Sequence, residues 1–195
     1  LNERVLVLCP KKLRENWTIY RHNDELNPFI EDRFRFDVLS HTDLSRESGR
    51  TGDIDLATLN WSNYDLVIID ESHNFKNASR GKAEKMKSRY ARLMEDVIQT
   101  GIHTKVLMLS ATPVNNNLRD LRNQIYFITG GHDGALYEKT SIRHIGQTIK
   151  NAQTIFTQWV DSKAVKRDVK QLIEKLDTSF FKLLDELTIA RSRKH

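Results

Sequence analysis

The stretch LVIIDESHNF (residues 66–75) sets a continuous apolar run against an abrupt polar end: two adjacent carboxylates, a hydroxyl and an imidazole. An unbroken run rich in β-branched residues, with no polar alternation, is the pattern of a strand covered on both faces. Two further runs share it. RVLVLCP (4–10) is closed by Pro10, which cannot donate to a ladder, and KVLMLSATP (105–113) is closed by small and hydroxyl residues. FRFDVLS (34–40) reads as one more strand.

Helical spacing lies between these runs. In KKLRENWTIYRHN (11–23), Leu13, Trp17 and Tyr20 fall at i, i+4 and i+7, on one face. A helix from about Ala83 to Thr100 carries Met86, Tyr90, Leu93 and Val97, with Gly101 where a C-cap is expected. Another carries Leu118, Leu121, Ile125 and Phe127 or Ile128 and is stopped by Gly130 and Gly131. SRESGRTGD (45–53), polar and twice interrupted by glycine, reads as a surface loop. Alternating strands and helices with doubly covered strands predict an α/β layer fold with a parallel sheet sandwiched by helices.

Beyond Gly134 only helical spacing remains. Ile145, Ile149, Ala152, Phe156 and Trp159 form one stripe, and Val169, Leu172, Leu176, Phe180, Leu183 and Leu187 a second, in one long helix or two. Phe156, Trp159, Phe180 and Phe181 are assigned to helix packing rather than to base stacking. The boundary is expected near 131–135, dividing an α/β part, 1–131, from an all-helical region, 132–195.

A chain of 195 residues with 38% hydrophobic content can bury one core, alone or with a helical appendage. A single cysteine, Cys9, excludes an internal disulfide and fits a reducing compartment, and no run approaches the roughly 20 apolar residues of a membrane span. A soluble, intracellular protein without membrane partners is expected. Leu1 in place of Met, close to a strand, suggests a piece of a longer polypeptide. The net charge of +5 suits nucleic acid and an ordinary surface alike, and the basic tail ARSRKH (190–195) names no partner.

In open parallel sheets, ligands bind beyond the carboxyl ends of the strands. Cys9-Pro10-Lys11, Ser40-His41-Thr42, Asp70-Glu71-Ser72-His73 and Ser110-Ala111-Thr112 all sit at such ends and should converge on one edge. An Asp there can hold Mg²⁺ through water, since this cation keeps much of its hydration shell and takes few carboxylates beside phosphate oxygens. A Glu one residue on can aim at a water attacking a phosphate, a division of labour suited to phosphoryl transfer. Taken alone, the pair reads equally as two solvated acids, His73 as a loop histidine, and Ser110 and Thr112 as hydroxyl caps.

Three motifs in order change the balance. VLVLCPKKLRENW, LVIIDESHNFKN and VLMLSATPVNNNLRDL together resemble the helicase-like ATPases of superfamily 2, and among them the Swi/Snf-type translocases, over roughly residues 4–122. The longer matches are Cys-Pro-x-x-Leu-x-x-x-Trp in CPKKLRENW, His-x-x-Lys-Asn in HNFKN and Thr-Pro-x-x-Asn-x-Leu in TPVNNNL. The resemblance implies a RecA-like first lobe, ATP and Mg²⁺ as cofactors, and DESH as the Walker B motif or DESH box. It implies Asp70 as the Mg²⁺-associated acid, Glu71 as catalytic base or water-positioning acid, and His73 as the link to Ser110 and Thr112, which couple ATP state to nucleic-acid grip. Pro10, Lys11 and Lys12 would lie near a nucleic-acid backbone, where lysine supplies charge without reading sequence. Double-stranded DNA is the implied track ahead of RNA, the second RecA-like lobe of the same chain the implied partner, and the cytoplasm, nucleoid or nucleus the implied location. The helices after Gly134 resemble accessory helices following the first lobe, and ELTIARSRKH the basic stretch leading toward the second.

The resemblance has two departures. No G-x-x-x-x-G-K-[ST] phosphate loop occurs in these residues, since SRGKAEK (79–85) lacks the first glycine, the hydroxyl residue and a preceding strand. The arginine-bearing motifs of a second lobe are absent too. These residues alone are therefore expected neither to hydrolyse ATP nor to bind it tightly. Two rivals stand beside the motor reading: a catalytically inactive nucleic-acid- or protein-binding scaffold on the same fold, and an unrelated Mg²⁺-dependent phosphohydrolase.

Overall fold

Val5–Cys9 (β1), Asp37–Ser40 (β2), Leu66–Asp70 (β5) and Lys105–Leu109 (β6) form one parallel sheet in the order β2-β1-β5-β6. The computed structural model describes residues 4–21, 25–32, 34–75, 87–101, 103–111, 117–161 and 168–189. The registers pair Cys9 with Ser40, Leu8 with Ile69 and Asp70 with Leu109, so the four polar strand ends share one edge. That is the parallel α/β arrangement expected from the apolar runs, and it is consistent with the RecA-like lobe that the resemblance implies.

Burial follows position in the sheet. Leu6, Leu8 and Cys9 on the inner strand β1 are fully buried, as double covering requires. β6 departs from it: its residues alternate in exposure, with Leu107 48% and Leu109 37% exposed on one face, although the other edge strand of the described sheet, β2, keeps Val38 and Leu39 buried. Its residue types alone carry no sign of that exposed face.

The end of the expected surface loop enters a short antiparallel ladder, Arg50–Thr51 (β3) with Ile54–Asp55 (β4) just beyond it, turned at Gly52, whose φ of 62° favours glycine. The helix after β1 is shorter than its spacing suggested. Lys11–Leu13 form a 3₁₀ turn and Arg14–Thr18 the α-helix α1, from which Trp17 packs on Val7, Cys9 and Val38.

The helix before β6 begins, within the described residues, at Arg89–Ala91 (α2), with the Ser88 hydroxyl accepting from the Ala91 amide. Met86 and the expected start near Ala83 lie outside those residues. From Arg92 to Gln99 the backbone widens into a π-helix, and the Thr100 amide bonds to the Glu95 carbonyl, one residue beyond the α pattern. Leu93 and Val97 are fully buried from this segment. Arg92 is buried with them, its guanidinium 5.5 Å from the Trp61 ring centre and paired with Glu47. Gly101 follows Thr100 without the left-handed backbone of a C-cap glycine; it is required for another reason, taken up below.

The chain divides into two compact units, Leu1–Pro113 and Val114–His195. In the second, Leu118–Ile128 (α3) starts at Asn117, whose side chain accepts from the Arg119 amide, and ends at Gly130 and Gly131, both at positive φ. A one-turn helix, Tyr137–Thr140 (α4), precedes Ile145–Val160 (α5). The second stripe resolves into two helices, Val169–Lys175 (α6) and Thr178–Leu187 (α7), because Asp177 caps the latter. Leu118, Leu121 and Ile125 of α3 share a core with Ile145, Ile149, Phe180 and Leu183, which is why α3 belongs to this unit. Phe180 is buried there, while Phe156, Trp159 and Phe181 are half-buried. No described helix is long and apolar enough to cross a membrane.

Candidate functional site

The carboxyl edge of the sheet is made by the ends of β1, β2, β5 and β6 and the turns that follow them. After β1, Pro10 accepts the Leu13 amide at 2.8 Å and opens the 3₁₀ turn that leaves Lys11 and Lys12 exposed. After β5, Asp70 is the last strand residue and Glu71 takes a left-handed backbone, φ 52°, rare for a side chain of this size. The Asn74 amide and its side-chain Nδ2 each bond to the Glu71 carbonyl at 3.0 Å, holding the turn that Ser72–Phe75 continue as a 3₁₀ helix. A strained backbone of this kind costs about 1–3 kcal/mol and is often found at functional positions.

The turn brings the acid back to the imidazole. His73 Nδ1 lies 3.1 Å from Glu71 Oε2 and 3.4 Å from Ser110 Oγ at the end of β6. One ring nitrogen therefore faces both a carboxylate and a hydroxyl. With a proton on Nδ1 it donates to Glu71; without one it accepts from the Ser110 hydroxyl and gives Glu71 nothing. The segments joined by the resemblance, DESH and Ser-Ala-Thr, thus meet through a single atom. Thr112, Lys76 and Asn77 lie outside the described residues.

Asp70 and Glu71 diverge in their partners. Asp70 Oδ2 accepts from the Trp17 indole Nε1 at 2.9 Å. Apolar spacing read Trp17 as a helix-face residue, which it also is; periodicity carries no sign of an indole N–H. Cys9, buried at the end of β1, has its thiol pushed up to about 11, by burial first and then by the Asp70 charge, so it stays a neutral thiol near pH 7.

His41, at the end of β2, is also buried, with its ring edge-on to Phe75 at 4.8 Å and Nε2 without a hydrogen-bond partner among the described residues. Desolvation holds its pKa below the ordinary value of 6.5, opposed by the Asp70 and Leu8 carbonyls. Above that value both folded and unfolded chains carry neutral His41, and its contribution to stability is complete. Below it the unfolded chain binds the proton first, so stability falls until the lower folded value is reached. The expected result in urea titrations between about pH 5 and 7.5 is a loss of stability on acidification that His41→Gln reduces. An unchanged slope in the variant would assign the acid sensitivity elsewhere.

No protein-family model matches the chain. It is 26% identical over 141 residues to an uncharacterized ATP-dependent helicase, YqhH, of Bacillus subtilis, the match covering 69% of this chain and 22% of that protein. It is 27% identical over 139 residues to the TATA-binding protein-associated factor MOT1 of Saccharomyces cerevisiae, covering 66% of this chain and 7% of that protein. The match thus spans less than a quarter of the length of either relative.

Proposed function

We propose, from the premise that this chain is a stretch of helicase-like superfamily 2 ATPase, that it forms part of the motor of an ATP-dependent nucleic-acid translocase. The observation that carries the reading is the Glu71–His73–Ser110 chain, which ties the acid at the end of β5 to the hydroxyl at the end of β6.

Glu71 is the base: its carboxylate, 34% exposed, takes the proton of the water that attacks the terminal phosphate. His73 holds that carboxylate in place, and Ser110, and by the motif Thr112, receive the change when the imidazole proton moves. Asp70 would hold Mg²⁺. Among the described residues no three His, Cys, Asp or Glu side chains gather into a metal cage. One half-buried carboxylate suits a cation that keeps its waters and shares phosphate oxygens. When bound, the metal supplies charge neutralisation at the phosphates. Pro10, Lys11 and Lys12 face the phosphate backbone of the track, double-stranded DNA, in a DNA-associated protein of the cytoplasm, nucleoid or nucleus. Residues 1–131 supply the first-lobe portion, its last helix α3 packing with the helices that follow it, and 132–195 the accessory helices toward a second lobe, which closes on ATP and is released by hydrolysis.

The test is ATP hydrolysis by the complete protein that carries these residues, with duplex DNA, single-stranded DNA or RNA, beside the 195-residue chain alone. Hydrolysis stimulated most by duplex, and none by the isolated chain, is expected. A complete protein without ATPase activity would favour the scaffold reading. Activity from the isolated chain would overturn the expectation that these residues alone do not hydrolyse ATP.

A further inference from the structure

Trp17 and Asp70 are 53 residues apart in sequence, yet the indole Nε1 donates to Asp70 Oδ2 at 2.9 Å. The ring that makes this bond is fixed by packing: it lies against Val7, Cys9 and Val38, with Phe36 and Ile68 beside them. An indole N–H is a donor only, with a single direction set by the ring plane. A ring held by the sheet therefore holds the carboxylate that accepts from it.

The chemistry of the donor matters as much as its position. An arginine or lysine in the same place would neutralise the acid and compete with any cation brought to it. The indole orients the carboxylate and leaves its full negative charge available. Asp70 is thus aimed without being neutralised by the indole that aims it.

We propose that Trp17 is a positioning residue for Asp70, fixing the carboxylate in the orientation that receives the hydrated Mg²⁺ of the bound nucleotide. The inference rests on the ATPase reading of Asp70. It also gives CPKKLRENW a task at its far end: the turn bearing Lys11 and Lys12 leads, within a few residues, to the indole that sets the acid.

The test uses the complete protein. On a Glu71→Gln background, where turnover is suppressed, ATP affinity is measured by calorimetry with Mg²⁺ and with EDTA, with and without Trp17→Phe. The variant keeps an aromatic ring on the sheet and removes the donor. The gain in affinity conferred by the metal should shrink about 10-fold, with affinity in EDTA unchanged. With Glu71 intact, the half-saturating Mg²⁺ concentration for hydrolysis should rise about 10-fold, and kcat at saturating metal should recover to within about twofold. A purely structural role would lower kcat or the active fraction at every metal concentration and leave the metal dependence in place. That result, or no change in either measurement, overturns the proposal. Should Trp17→Phe fail to fold, Trp17→benzothienylalanine keeps the two-ring shape without the N–H and is read by the same two measurements. Failure of the ATPase reading shows separately, as a Glu71→Gln protein that hydrolyses ATP like wild type or a complete protein that does not bind ATP.

Discussion

Glu71→Gln is expected to lower ATP hydrolysis by the complete protein about 10²–10⁴-fold, while nucleotide affinity stays within about threefold. The amide keeps the size and reach of the carboxylate and cannot accept a proton from water. It also leaves the left-handed backbone at residue 71 equally strained, so the loss is chemical rather than structural. Single-turnover hydrolysis, with binding of a fluorescent nucleotide in parallel, measures both quantities. Hydrolysis within about twofold of wild type would remove Glu71 from the mechanism. A companion variant separates strain from chemistry. Glu71→Gly relieves the φ of 52° and should be about 1 kcal/mol more stable than Glu71→Ala, yet be as inactive as the glutamine variant. A position where the active residue is the less stable one is what a site that stores strain for function predicts.

The sheet was legible because its strands announce themselves by composition. LVII, VLVLC and KVLML are almost wholly apolar, and each stops at residues that end a ladder, so the shared polar edge followed from the parallel arrangement. What each strand borders was not legible. Leu107 and Leu109 have the same apolar side chains as Leu6 and Leu8, and nothing in their type shows that alternate residues of β6 are left exposed while Val38 and Leu39 of the other edge strand, β2, are buried. The π-helix was hidden for a related reason: Leu93 and Val97 keep an i, i+4 spacing that an α-helix also satisfies, and the extra backbone residue per bond leaves no trace over eight residues. The ladder of β3 and β4, two residues a side, is too short for alternation to show.

The candidate site divides along similar lines. Asp70, Glu71, His73 and Ser110 were singled out by type, order and resemblance, and the structure places the last three in one chain of short contacts. The Trp17–Asp70 bond escaped because apolar periodicity scores tryptophan by its ring, whereas the bond is made by its one polar atom. His41 was quoted as part of a strand end, but its burial depends on Phe75 folding back over it, a contact between segments that no local pattern encodes.

Gly101 shows a residue picked out correctly for a reason the structure replaces, and it carries the second large effect. Its backbone is not left-handed, so a side chain there meets no conformational penalty of the C-cap kind. The obstacle is space: a Cβ at this position would collide with the Val97 carbonyl oxygen and with Thr104 Oγ1. Neither can yield easily. The carbonyl belongs to the buried π-helix, and the Thr104 hydroxyl is held at 2.8 Å from the Tyr64 carbonyl and 3.3 Å from that of Val97, joining the helix end to the start of β5 and β6. Gly101→Ala is therefore expected to cost about 3 kcal/mol, at the upper end of overpacking effects, and to lower the thermal midpoint by about 10 °C. Circular dichroism melts of the 195-residue chain measure it. Thr104→Ala removes one of the two collisions along with its hydrogen bonds, so the double variant should be about 1 kcal/mol more stable than the sum of the single losses predicts. It should still fall short of Thr104→Ala alone, because the carbonyl collision remains. A loss below about 0.5 kcal/mol for Gly101→Ala would mean that the helix end shifts freely. Close approach would then not be what requires glycine at residue 101.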